Sequence, residues 1–442
     1  MGASMGNYLR RLVVLSGVTA KCRKFWLVAA LVPLSLGLSE PALAQTCGPL
    51  DAFGSVTCTT GGNPYAGGIN YGNTGVPTTV TLEQGVQVFV TPGNGVNQAV
   101  AVSTGTAAGT GNPATLIANN VAVTLDGTPG QLVSALFLHP IQGSATITAS
   151  GNINVAGTLN TLAIQAAPFS SVAGAVATVN WTGDINATGG SNSALIQACV
   201  NNACGFGSSA DGNANINATG NLTGNFGPSG FGLQAVAAGN GAATVNYNGG
   251  TINLTAGSFS NGIFASGGSA TITTLLGTSI IVSSTASGAS GVEAFADPGA
   301  TLANVASKIQ TTGPAIPPVN DFRFQPAGIR LQSNLGPASV NYTGPGITVQ
   351  GGGGLGIAAV SGSSGAGVAS GSVTVNASGP INITADSSDA VGILADSGTL
   401  RNTVRGLAPT LPGWCRSLQA TCPPRGSSAP RSAQTGAAVA SQ

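Results

Sequence analysis

A single histidine serves all 442 residues, so a Ser-His-Asp or Cys-His relay has one possible base, His139. It stands in ALFLHPI (135–141), directly before Pro140, where it reads as a strand-end residue. Carboxylates come next. Glycoside hydrolysis needs two of them facing each other roughly 5 to 9.5 Å apart. The candidate pairs are Glu293 with Asp297, in VEAFADPG (292–299), and Asp386 with Asp389, in the turn ADSSDA (385–390). If Glu293, Asp297, Asp321 and Arg323 converged on one cleft, the chain would be a carbohydrate-active enzyme, a hydrolase or lyase of polysaccharides. The alternative is that all of these are solvated acids in turns, and non-catalytic function is the expectation. No GxSxG elbow, no phosphate loop ending in GK[ST] and no HExxH helix occurs, so neither a metal nor a cofactor is expected. The run GGGGLG (351–356) lacks a dinucleotide-binding context and reads as a turn.

Discounting Cys22, six cysteines fall into three close pairs: Cys47 with Cys58, Cys199 with Cys204, and Cys415 with Cys422. Such spacings fit no zinc pattern, whereas in an oxidising compartment they can close short disulfide loops, which is expected of the first two pairs. An oxidising compartment implies export. Residues 1–44 read as a signal peptide, in which basic residues precede an apolar stretch of 14 residues, Phe25 to Leu38. That stretch is too short for a stable membrane anchor, and it ends in Ala42-Leu43-Ala44, placing cleavage between Ala44 and Gln45. A second apolar patch, Leu12 to Ala20, marks either an extended signal or a start codon assigned too early.

The elements that must position any site are short strands. The chain holds 68 glycines, 42% hydrophobic residues, 6% charged and 5% aromatic ones, which is no ordinary globular mixture. One segment recurs as ATVNW (177–181), ATVNY (243–247), ASVNY (338–342) and VTVNA (373–377), with SATITA (144–149) and ANINA (214–218) as weaker copies. A glycine-containing turn leads to a second, as in GNINV at 151, GDINA at 183, GTINL at 250 and GPINIT at 379. A third, more apolar one follows, as in TLAIQA at 161, ALIQA at 194, NGIFA at 261, AGIRL at 327 and AVGILA at 390. The unit returns every 27 to 37 residues between 144 and 400, and helical periodicity is absent.

Three strands per unit predict an all-β fold, a right-handed parallel β-helix of three-strand coils, in which each coil buries its aliphatic side chains against the next. Residues 45–143 form its N-terminal region, with about three coils from Val76 to Phe137, and residues 144–400 its repeat-built part of roughly eight, a rod about 50 Å long. Asn180, Asn246, Asn341 and Asn376 would align as amide ladders. The competing architecture, an antiparallel sandwich or barrel, lacks regular tight-hairpin signals.

Charge narrows the partners. Residues 45–400 carry three basic and eleven acidic residues, a formal charge of −8, which offers no footprint for nucleic acid. Two segments, 199–213 and 311–328, lengthen the unit and should protrude as loops. The second holds Phe322, Arg323 and Phe324, with Lys308 and Arg330 nearby, and reads as an ordinary long turn or as a partner-binding loop. Past residue 400 the pattern stops. Residues 401–442 form an irregular Arg- and Pro-rich tail with five arginines and no acid, either a disordered linker or the product of a shifted reading frame, in which case the chain would be a frame-disrupted remnant with no activity of its own.

Taken together, the extended export segment, the early cysteine pair in TCGPLDAFGSVTC (46–58) and the repeats from 144 to 399 make the chain similar to passenger domains of bacterial autotransporters of the type Va class. More loosely, it resembles the filamentous-haemagglutinin adhesins. The resemblance covers most of the chain after the export segment. It implies export, display at the cell surface or release, and adhesin-like contact with a host surface, a polysaccharide or neighbouring cells. It also implies a C-terminal outer-membrane β-barrel, and nothing after residue 400 has the alternating, aromatic-girdled segments of one. Without a barrel supplied, the product would stay in the periplasm.

Overall fold

The computed structural model describes residues 47–91, 97–105, 111–169, 173–200, 211–314, 325–362, 371–384 and 390–397, and the backbone of 402–406 and 419–421. The export segment with Ala44 and Gln45, Cys204, Asp321, Phe322, Arg323, Phe324, Asp386, Asp389 and most of the tail lie outside them.

The described residues between 47 and 397 form a parallel β-helix. Among the described residues every ladder between strands is parallel except the one that joins Asn402–Gly406 to Gln419–Thr421, and a single isolated bridge, Gly212 with Ala238, is also antiparallel. Strands stack into three sheets. The first carries the ATVNY-like segments in unbroken register, Ala145 over Ala177 over Ala214 over Ala243 over Ala270. The second runs through Ile153, Ile185, Leu222, Ile252, Ile280 and Ile309. The third runs through Leu136, Ile164, Ile196, Leu233, Ile263, Val292, Ile329 and Ile357. All these side chains are buried.

Strand lengths differ from the five residues that the sequence suggests. Ala145–Ala156 and Ala175–Gly189 run through the first corner without interruption, and Thr251–Gly267 and Ser279–Ala296 run through the next. Glycine makes the first of these bends possible. Gly151, Gly183 and Gly220 stack there at φ of 133°, 139° and 129°, and a Cβ on Gly183 or Gly220 would lie 1.9 Å from the carbonyl oxygen of the glycine one coil earlier. In the third sheet Gly262, Gly291, Gly328 and Gly356 form a second column, where a Cβ would meet Ile280, Ile309, Ile347 and Ile381 at 2.3 to 2.5 Å. Missing side chains here let the aliphatic core close.

Large core residues alternate with small ones along the stack. One column reads Ala149, Trp181, Ala218, Tyr247, Thr274, Val305, Tyr342, Ala377. Trp181 and Tyr247 are thus separated by Ala218, whose small side chain leaves the space that the two rings fill from the levels on either side. The ring polar atoms are satisfied at the glycine corner. Trp181 Nε1–H donates to Gly183 O at 2.9 Å, Tyr247 Oη–H donates to Gly220 O at 2.9 Å, and Tyr342 Oη accepts from Gly346 N–H at 2.8 Å. Burial, and for Tyr247 the nearby Asp184, pushes both phenols well above their usual range, so both stay neutral.

The stack begins earlier than the expected Val76. Ser55–Cys58 pairs with Thr78–Leu82, and Ile69–Thr74 with Gln98–Thr104, so a complete coil precedes it. A disulfide joins Cys47 to Cys58, Tyr71 Oη–H donates to Gly48 O at 2.8 Å, and Leu50 packs on the core. Together they close the N-terminal end.

The alternation is testable. Ala218→Phe places a third ring between Trp181 and Tyr247 and should cost about 1–3 kcal/mol in urea unfolding. The same substitution at outward Thr223 should be near neutral, and equal effects at the two positions would refute the packing account.

Candidate functional site

Outward residues of the first sheet form two columns of uncharged polar groups. One contains Thr79, Thr115, Thr146, Thr178, Asn215, Thr244 and Thr271, and the other Thr148, Asn180, Asn217, Asn246, Thr273, Asn304, Asn341 and Asn376. The second column is hydrogen-bonded along its length in two runs. Asn180 Nδ2–H donates to Thr148 Oγ1 at 3.2 Å, Asn217 to Asn180 Oδ1 at 2.8 Å and Asn246 to Asn217 Oδ1 at 2.8 Å. Beyond Thr273, Asn341 donates to Asn304 Oδ1 and Asn376 to Asn341 Oδ1. Asn217 and Asn304 belong to the ladders although the sequence reading omitted them. Their signal was present, in ANINA (214–218) and TLANV (301–305), whose apolar-polar alternation matches the stronger copies.

Where the first sheet meets the glycine corner, a shallow groove of about 290 Å³ crosses successive coils. Asn119, Thr148, Asn180, Thr182, Asn217 and Asn248 line it, above the buried Trp181, and none of its lining residues is charged.

The third sheet presents different chemistry on its outer side. Gln165 Nε2–H donates to Gln197 Oε1 at 2.7 Å and Gln197 Nε2–H to Gln234 Oε1 at 2.6 Å. The same register then reaches Phe264, Glu293 and Arg330. Arg330 Nη1–H donates to Glu293 Oε2 at 3.1 Å and Arg330 Nη2–H to Gln325 O at 2.6 Å. The Arg330 side chain is 5% exposed and that of Glu293 22%. Asn261, oriented with its amide nitrogen toward the carboxylate, adds a bond to Glu293 Oε2 at 2.9 Å. Phe231 and Phe264 pack nearby with ring centroids 5.7 Å apart.

Of the sequence candidates, Glu293 is therefore a partner of Arg330 and Asn261, and Asp297 follows the end of its strand. Among the basic residues near the second insertion, Arg330 is buried in its ion pair and Lys308 is exposed in the second sheet. Cys199 is disulfide-bonded and fully buried. The described residues hold no group of three or more His, Cys, Asp or Glu placed to bind a metal ion.

His139 directly follows the strand Val133–Leu138, with Nδ1–H donating to Ala167 O at 2.8 Å in the next coil and its ring stacked on Phe137 at 5.7 Å. Burial lowers its pKa below the usual 6.5, and the bond to Ala167 offsets part of that shift. The unfolded chain thus takes up the proton more readily than the folded one. Stability from neutral His139 is fully present above about pH 6.5 and is lost as pH falls toward the lower folded value.

Compared with known proteins, the chain matches no family model, no curated protein and no solved structure. Its class rests on the coordinates: a parallel β-helix with an uncharged polar groove on one sheet and an ion pair on another.

Two outcomes follow from these side chains. Glu293→Gln should destabilise the protein by roughly 1–3 kcal/mol, below a fully buried pair because Glu293 is partly solvated, and the double change Glu293→Met with Arg330→Met should recover most of it. A double variant no more stable than the single one would contradict the ion-pair reading. In His139→Gln, the melting temperature should fall less between about pH 7.5 and pH 5.5 than in the parent chain. An unchanged difference would show that this imidazole carries no linkage.

Proposed function

We propose that the chain is an exported, cell-surface passenger of the autotransporter type, acting as an adhesin or structural surface protein without catalysis. Its partners are a host surface, a polysaccharide or neighbouring cells. The observation that carries the reading is the pair of Thr and Asn columns on the first sheet, a long, regular, uncharged polar surface with no reactive group in it. Regular hydroxyl and amide rows suit many weak contacts with an extended surface rather than one tight pocket. Glu293, the best-placed acid of the sequence reading, is committed to Arg330 and Asn261.

The test is gain of function at a surface. Fusing the chain from Gln45 onward to an outer-membrane barrel and displaying it on non-adherent bacteria should raise attachment to epithelial monolayers, or cell-to-cell clumping, by about tenfold or more. Unchanged attachment and clumping would sink the adhesive reading. Release of reducing sugar from a polysaccharide panel, abolished in Glu293→Gln, would replace it with the enzymatic one.

A further inference from the structure

Five successive coils contribute to the groove on the first sheet, from Asn119 through Thr148, Asn180 and Asn217 to Asn248. Four spacings of about 4.8 Å make it roughly 19 Å long. We propose that this groove binds a single strand of uncharged polysaccharide lying along the stacking axis. That role presupposes the surface display proposed above and gives it a ligand class and residues.

The chemistry of the lining selects such a ligand. An asparagine amide has two N–H donors and an acceptor oxygen with two lone pairs. In the ladder, Asn180 and Asn217 each spend one N–H on the preceding coil and one lone pair on the following one. Each therefore keeps a donor and an acceptor for a ligand, and Thr148 and Thr182 add exposed hydroxyls on either side. Sugar hydroxyls likewise donate and accept at once. These groups repeat at the coil spacing, close to the length of one pyranose ring in an extended chain, so each sugar meets an equivalent set.

Ladder bonding fixes the amides before the ligand arrives, which reduces the entropy lost on binding. Beneath them, Trp181 is anchored by its indole bond to Gly183 O and forms a stiff floor. Charge rules against an acidic glycan. No lysine or arginine lines the groove, and the body from 45 to 400 is formally −8. A polyanion would find no counter-ion and would be repelled at long range.

Affinity electrophoresis of the full chain tests this directly, in native gels containing hydroxyethyl cellulose, galactomannan or dextran, with alginate as the acidic comparison. Retardation is expected in at least one neutral gel. Thr182→Trp and Asn119→Trp, each filling the groove from its exposed rim, should weaken it by about tenfold or more, while Asn253→Trp on the outer side of the second sheet should not. Matching melting temperatures would certify that the variants fold.

No retardation in any neutral gel, retardation of both groove variants equal to that of the parent chain, or stronger retardation by alginate would overturn the assignment. If displayed cells adhere while the purified chain binds none of the neutral polymers, the groove assignment fails and the surface role stands. If neither occurs, both fall.

Discussion

In-register parallel stacking is the constraint from which the rest of this molecule follows. Each residue lies one strand spacing, about 4.8 Å, from its equivalent in the next coil, so every side chain must tolerate its counterpart as a close neighbour. Two like charges about 4 Å apart repel by about 1 kcal/mol in bulk water and about 4 kcal/mol at the effective dielectric of a protein surface. A column of like charges would add this penalty at each level, which accounts for a body with few charged residues. Where a charged side chain does lie above another in the third sheet, the signs are opposite, Glu293 over Arg330. In the inner column Trp181, Tyr247 and Tyr342 each have small or aliphatic residues at the levels beside them.

Polar ladders and apolar burial do different work. A coil such as that of Val245, Ile252, Leu254 and Ile263 buries four large aliphatic side chains, worth roughly 6–12 kcal/mol at about 1.5–3 kcal/mol each before conformational entropy is counted. One amide-to-amide bond contributes about 0.5–1.5 kcal/mol net. Burial thus drives stacking, and the Asn and Gln ladders help to choose among registers of nearly equal burial. A slip of one residue would break every Asn pair and turn the aliphatic faces outward, so both terms favour the same alignment. Solenoids must also protect their ends, where a coil lacks one neighbour. Here the Cys47–Cys58 disulfide and the Tyr71 bond to Gly48 hold the N-terminal closure in place.

Such a scaffold separates stability from recognition. Inner columns hold the fold, leaving outer residues free to vary provided they avoid like-charge stacks. The first sheet uses this freedom for an uncharged hydroxyl and amide surface, whereas the third places glutamines, aromatic rings and an ion pair on its outer side. That contrast between two faces built from the same repeat is what supports assigning recognition to the first.

Much was legible before folding. Alternation in ATVNY-like segments states which side chains face inward, because successive residues of a strand point to opposite sides, and the return of the unit every few tens of residues implies coils. Parallel β-helix architecture and amide stacking followed from that, as local properties of the chain. The sequence could not disclose that corner glycines let two strands run on as one, that Gln165, Gln197 and Gln234 share a ladder, or that Glu293 meets an arginine 37 residues away. Nor did it reveal the groove, which needs side chains from five coils. Which residues lie above one another depends on the lengths of three corners in every turn, and a difference of one residue at any corner would change each partner. Inward or outward orientation is a local property that the sequence determined; vertical neighbours, and with them the ion pair and the groove, were decided by the closed three-dimensional coil.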